Sequence, residues 1–178
     1  MDKLDRRAFV QLAAGAAMAL TAQAAGERKP LRLGVVTGGA DSDAAAHRVR
    51  DLGFTNCQVY FGSPGADSAK RLRDALDKHD IEATSLIITG PGPEVYDFLQ
   101  GPSTIGLVPA KYRDARIARM KQASDFAKMV GIPGIQGHCG FFPEWPADPL
   151  FGQTVEALRT VVSYCRANGQ TFRCETGQ

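Results

Sequence analysis

Residues 171–178 read TFRCETGQ, and this short segment sets the interpretation of the whole chain. Its first threonine, its phenylalanine and its cysteine favour a β-strand, and Gly169 just upstream is typical of a helix end. The segment therefore predicts a short buried strand that ends with one carboxylate, Glu175. In parallel α/β folds the carboxyl ends of the strands carry the catalytic and binding groups. Glu175 is therefore the first candidate for a functional residue.

Upstream of this segment, strand-like and helix-like stretches alternate. Four more strands are predicted, at residues 31–37, 56–61, 82–89 and 134–138. Four helices are predicted, at residues 41–52, 67–79 and 112–130, and from a cap at Thr154 to a stop at Asn168. Five strands alternating with four helices predict a parallel sheet with right-handed crossovers, as either an open doubly wound sheet or a (β/α)₈ barrel.

The third predicted helix follows a long connection, residues 90–111, that is rich in glycine and proline. A connection of this length after a strand is typically functional. Within the helix, Met120 and Ala127 are predicted to face the core, and the basic residues, Arg116 among them, to lie mostly outside.

The first 24 residues predict an export signal. A basic start precedes a short apolar run at 8–20, and residues 22–24 offer small side chains for cleavage. Residues 5–11, DRRAFVQ, resemble a twin-arginine signal. We therefore predict a twin-arginine-type signal peptide at 1–24, a folded domain at 25–178 and a periplasmic location. An uncleaved anchor or a basic amphipathic helix is the alternative.

The composition is that of an ordinary globular domain, with 44% hydrophobic residues and a net charge of +2. So small a charge predicts no nucleic-acid partner, and no membrane contact is expected after signal cleavage. None of the four cysteines forms a C-x-x-C pair, which argues against a zinc ribbon or a redox motif. We interpret them as small buried thiols, with a disulfide in an oxidising compartment as the alternative.

Three further residues are candidates for the site. His138 ends the fourth predicted strand, so we expect it one strand away from Glu175 at the same edge of the sheet. It is a candidate metal ligand or a hydrogen-bond donor to a substrate. Glu144 and Trp145 lie in the following loop, where they could contact a substrate. The alternatives are a core histidine, a solvated glutamate and an aromatic side chain that anchors the loop.

Three stretches carry a resemblance to a known family: GHCGFFPE at 137–144, DPLF at 148–151 and NGQTFRCETGQ at 168–178. Family members read similarly, with H-x-G-F-x-P-E after the fourth strand and E-T-G-Q at the end of the fifth. On these motifs the chain resembles the sugar phosphate isomerase/epimerase superfamily, the xylose isomerase-like TIM barrels.

The resemblance implies a (β/α)₈ barrel that holds one divalent metal, Mn, Mg or Zn, and acts on a sugar or sugar phosphate. In that family the metal ligands come from strands five to eight, and only the strand-five glutamate has a match here, Glu175, which would also be catalytic. His138 matches a position that helps to bind substrate, and that is a metal ligand in the endonuclease-IV-type members.

Five predicted strands are too few for an eight-stranded barrel, so we expect the chain to correspond to a barrel truncated after strand five. Our first hypothesis is therefore a metal-dependent sugar isomerase or epimerase that is inactive as this chain alone. Unpaired sheet edges would favour association into oligomers. The alternative is a non-catalytic α/β domain that binds a sugar or a protein partner. A metal phosphoesterase on the same barrel is a third hypothesis, but it needs more histidine ligands than the three in the sequence.

Overall fold

The computed structural model describes residues 31–38, 40–62 and 64–176, excluding the side chain of Thr176. The predicted signal peptide lies outside the described residues. All of the helices and strands below belong to one compact unit, Leu33–Gln178. Within the described residues, no helix is both long and apolar enough to cross a membrane.

The described strands form one five-stranded parallel sheet. In chain order they are β1 Val35–Thr37, β2 Asn56–Tyr60, β3 Glu82–Ile88, β4 Gly134–Gly140 and β5 Thr171–Thr176. Each strand pairs in parallel with the next one in the sequence, so the spatial order is the chain order. A doubly wound sheet reverses its strand order at a switch point. The observed order has no reversal, and it is the order of successive barrel strands.

Five helices are described: α1 Ser42–Asp51, α2 Ala66–His79, α3 Gly101–Thr104, α4 Ala110–Val130 and α5 Pro149–Ala167. The four predicted helices are confirmed, and α3 is a short addition within the long connection. The core lies between the sheet and the helices, where strand residues such as Leu86 and Ile135 pack against helix residues such as Val49, Ala127 and Val161. The opposite face of the sheet carries polar side chains such as Gln136 beside apolar ones such as Val36 and Ile87.

The start of α5 differs from the prediction. Asp148 caps the helix, because its carboxylate accepts a hydrogen bond from the backbone N–H of Leu150 at 2.8 Å. Pro149 occupies the first helical position, where a missing N–H costs nothing. Thr154, the predicted cap, is instead fully buried one turn later and donates to the carbonyl of Leu150 at 2.7 Å.

The cysteines divide into two kinds. Cys57 and Cys165 are free and buried, as predicted, whereas Cys139 on β4 and Cys174 on β5 form a disulfide. The prediction of a free thiol was therefore wrong for this pair. Neighbouring parallel strands bring the two Cα atoms to 5.8 Å, a distance that a disulfide can bridge.

Thiol titration should show how many cysteines are free and how many are paired. Burial raises the pKa of the Cys57 thiol to about 11 and also raises the pKa of Cys165. Because the thiolate is the reactive form, we expect neither to react quickly with Ellman's reagent at pH 8 in the native protein. In guanidinium without reductant we expect two reactive thiols per chain, from the two free cysteines, and four after reduction. Four thiols before reduction would contradict the disulfide.

Candidate active site

Two of the predicted site residues meet at the carboxyl end of the sheet. His138 and Glu175 are register partners on β4 and β5, so their side chains project from the same face of the sheet. The His138 Nε2 atom lies 3.6 Å from the Glu175 Oε2 atom. The imidazole is largely buried, and the carboxylate is about half exposed. The structure thus brings these two candidates together, on one wall of a cavity of about 540 Å³.

The same face of the sheet carries a row of polar side chains. Gln58 on β2 donates from Nε2 to the Oε1 atom of Gln136 on β4, at 3.1 Å. Gln136 in turn donates from Nε2 to the Glu175 Oε2 atom at 3.2 Å. Both glutamines line the same cavity as His138 and Glu175. Sequence reasoning missed them, although both are polar residues inside predicted strands.

Tyr96 forms a further part of the cavity wall. Its ring centroid lies 5.1 Å from that of His138, although 60% of the residue is exposed. Partial desolvation of its hydroxyl, together with the nearby charges of Glu94 and Glu175, raises the pKa of Tyr96 to about 12. The hydroxyl is therefore a neutral hydrogen-bonding group at physiological pH. Tyr96 lies in the long connection that was predicted to be functional, but no sequence motif indicated this residue.

A buried arginine holds this connection in place. Arg116 on α4 is 1% exposed, and its guanidinium donates to the carbonyls of Pro91 at 3.1 Å, Pro93 at 3.0 Å and Gly106 at 2.6 Å. The predicted outward position of this side chain was wrong, because helical periodicity does not show where a loop will cover the helix. Burial lowers the pKa of Arg116. The three carbonyl acceptors compensate for its lost hydration.

Glu144 and Trp145 are not brought to the cavity wall formed by the described residues. Both lie in the β4–α5 connection, with Glu144 exposed and Trp145 73% exposed. They do not line the cavity that contains His138 and Glu175. A contact between them and a bound substrate stays a prediction.

The described donor atoms match part of a divalent metal site. A carboxylate suits Mg²⁺, Mn²⁺ or Zn²⁺, and Glu175 presents one toward the cavity. No group of three or more His, Cys, Asp or Glu side chains able to hold a metal occurs in the described part of the chain. The described residues would therefore supply only a partial ligand set.

The ring nitrogens of His138 differ in their surroundings. Its Nδ1 atom is buried and has no hydrogen-bond partner among the described residues. If Nε2 were bound to a metal, Nδ1 would have to carry the proton, and a buried N–H without an acceptor is costly. A proton on Nε2 would instead point toward the carboxylate of Glu175, but it would leave the buried Nδ1 lone pair without a donor from the described residues, which is also costly. His138 therefore stays a candidate both for metal ligation and for substrate hydrogen bonding.

Comparisons with a family model and with solved structures point to the same family. A family model described as xylose isomerase-like TIM barrel matches residues 46–177. The crystal structure of a xylose isomerase domain protein from Planctomyces limnophilus is 32% identical, with a TM-score of 0.75 over 85% of this chain and 56% of that one. No match was found among curated protein sequences.

More distant structures share the fold. The 3-keto-D-glucoside 4-epimerase from E. coli is 11% identical, with a TM-score of 0.53 over 79% of this chain and 54% of that one. A D-psicose 3-epimerase, solved in the presence of D-fructose, is 15% identical, with a TM-score of 0.54 over 80% and 51%. This chain thus spans about half the length of the solved structures that it matches. With its strand order and its family match, the chain belongs to the xylose isomerase-like TIM barrel family.

Proposed function

We propose that this chain carries part of the site of a metal-dependent sugar isomerase or epimerase that moves a proton next to a carbonyl group. The observation that carries the proposal is the pairing of His138 and Glu175, whose Nε2 and Oε2 atoms lie 3.6 Å apart on a cavity wall. Carboxyl ends of barrel strands are where TIM-barrel chemistry occurs. Sugar-processing relatives of the same fold support a sugar or sugar phosphate as the substrate.

Glu175 has two roles in this proposal. Its carboxylate, which lines the cavity, would hold a divalent metal (Mn, Mg or Zn) and would accept a proton from a substrate carbon. When bound, the metal would polarise the substrate carbonyl and hydroxyl groups. Apart from the candidate His138, the other ligands would come from outside the described residues, from water and from the substrate itself.

His138 and Tyr96 would bind the substrate, and His138 is also the candidate for a second metal ligand. His138 can donate from Nε2 to a sugar oxygen near Glu175. The ring of Tyr96, in contact with His138, offers an apolar surface and a neutral hydroxyl to a sugar. Glu144 and Trp145 would contact the substrate only if their loop covers the cavity. These contacts would orient the reacting carbon toward the carboxylate.

The proposal includes three expectations for the chain itself. One carboxylate and one histidine are too few for a closed metal site, so we expect no turnover by the 178-residue chain alone. β1 and β5 each have one strand neighbour within the described sheet, and such edges favour association into oligomers. The sequence of residues 1–24 supports export to the periplasm by the twin-arginine route.

Metal removal and a sugar panel test this proposal. The product of the complete reading frame should be purified, analysed for bound metal, and assayed with ketoses, aldoses and their phosphates. We expect turnover of at least one sugar, loss of that turnover in EDTA, and recovery with Mn²⁺. The 178-residue chain serves as the paired sample and should be inactive. Turnover that persists in EDTA would contradict the metal role, and sugar binding without metal or turnover would favour the non-catalytic alternative.

A further inference from the structure

Gln58 and Gln136 are two polar residues of the cavity wall to which the proposed chemistry gives no role. They connect three strands, since Gln58 on β2 donates to Gln136 on β4, and Gln136 donates to Glu175 on β5. Gln136 lies two residues before His138, so both side chains point to the cavity face. Both glutamines are half-buried. The hydrogen bonds therefore follow the same face of the sheet as the candidate site.

The donor and acceptor groups fix the direction of the two hydrogen bonds that join Gln58, Gln136 and Glu175. An ionised carboxylate can only accept, so the Nε2 group of Gln136 must face Glu175 at 3.2 Å. The Oε1 atom of Gln136 must then point away, toward β2. That oxygen can only accept, so Gln58 must present its Nε2 group, as it does at 3.1 Å. The charge of one residue thus sets the orientation of two amides.

We propose that Gln136, oriented by Gln58, is a positioning residue that holds Glu175 in its ion-binding orientation. This inference rests on the proposed function of Glu175. Among the described residues, the Gln136 amide is the side-chain group within hydrogen-bond distance of the Glu175 carboxylate, because His138 Nε2 lies farther away at 3.6 Å. Glu175 is about half exposed on the last strand of the described sheet, so packing alone restricts it little.

A purely structural role for the two glutamines predicts a different response. If they only join strands, removing them should lower the free energy of unfolding and leave metal affinity unchanged. If they orient Glu175, the affinity for a metal should fall, since groups that orient a metal ligand typically contribute about 10- to 100-fold in affinity. Gln58 should matter only through Gln136. The two effects should therefore be strongly non-additive.

A double-mutant cycle on the complete reading-frame product tests the inference. Gln136→Met keeps the side-chain length and removes the amide; we expect Mn²⁺ affinity by calorimetry to fall about 10- to 100-fold. Gln58→Met should lower it about 3-fold in the wild-type background, and by less than about 1.5-fold when Gln136→Met is present. Gln153→Met is the matched control, because Gln153 bonds Arg113 on the helical side, and its affinity should not change. Circular dichroism melts confirm that each variant folds.

Metal-free crystal structures of the wild type and Gln136→Met give a second readout that does not depend on activity. We expect the Glu175 carboxylate to leave its wild-type position in the variant. If the wild type binds no Mn²⁺, the metal part of the proposed function fails, and this comparison alone decides the positioning role. An unmoved carboxylate, or a Mn²⁺ affinity within about 2-fold of wild type in Gln136→Met, overturns the inference.

Discussion

Glu175→Gln is expected to lower kcat/KM of the complete reading-frame product by roughly 1000-fold or more, equivalent to about 4 kcal/mol of transition-state stabilisation. The substitution keeps size and shape but removes the charge that would hold a metal and accept a proton. The neutral side chain can still accept the hydrogen bond from Gln136 through its amide oxygen, so the fold should be unchanged. Steady-state kinetics on the sugar identified by the panel, with bound-metal analysis, provide the measurement.

Glu156→Gln is the matched control for this experiment. Glu156 lies on α5, is largely exposed and pairs with Arg159, away from the cavity. We expect its kcat/KM to stay within about 2-fold of wild type, since isolated surface substitutions have small effects. A Glu175→Gln variant that retains bound metal and more than about a tenth of wild-type kcat/KM would remove Glu175 from the reaction.

Gly106→Ala is expected to destabilise the protein by about 4 kcal/mol or more, with loss of the cavity wall. Gly106 has φ +71°, a conformation that costs an L-residue about 1–2 kcal/mol. A Cβ atom there would also overlap the backbone of Cys139 and Gly140, the two residues that follow His138. The loop packs closely at this point, because the Leu107 N–H donates to the Cys139 carbonyl at 3.0 Å. The Gly106 carbonyl accepts from Arg116, so displacement of the loop would also disturb that buried cation.

Gly131→Ala separates the cost of a positive φ from the cost of steric overlap. Gly131 ends α4 with φ +92°, and a Cβ atom there would meet nothing within 4 Å. Its expected cost is therefore the conformational part alone, about 1–2 kcal/mol. Urea unfolding of both variants, followed by circular dichroism, gives the difference between them. If Gly106→Ala and Gly131→Ala are equally stable, the close approach of the loop to β4 is not as described.

The sequence was informative where local pattern and tertiary position agree. Hydrophobic runs and helix-stopping glycines predicted all five described strands and four of the five helices, although β1 begins later and α5 begins earlier than predicted. His138 and Glu175 could be placed together because parallel strands align their carboxyl ends, whatever the remaining contacts are. The family motifs around them were consistent with the family model that matches residues 46–177.

The tertiary structure decided the features that sequence periodicity cannot predict, namely strand order and contacts between distant segments. The chain-order sheet, rather than a doubly wound one, is a property of strand pairing across the whole domain. Arg116 was predicted to lie mostly outside, like the other basic residues of its helix, but the glycine- and proline-rich loop covers it and supplies three carbonyl acceptors. Gln58 and Gln136 were unremarkable in sequence, since their importance depends on a hydrogen bond between residues 78 positions apart.

The amino-acid sequence by itself therefore determined most of the secondary structure, the family resemblance and one edge of the sheet where chemistry is expected. The secondary structure follows from side-chain preferences that act within a few residues, the resemblance from short motifs, and the edge from the alignment of parallel strand ends. Only the folded structure decided which loop residue faces His138, which cysteines pair, and which amides direct the Glu175 carboxylate. Those features are contacts between distant segments, and their geometry exists only after the strands have been placed side by side.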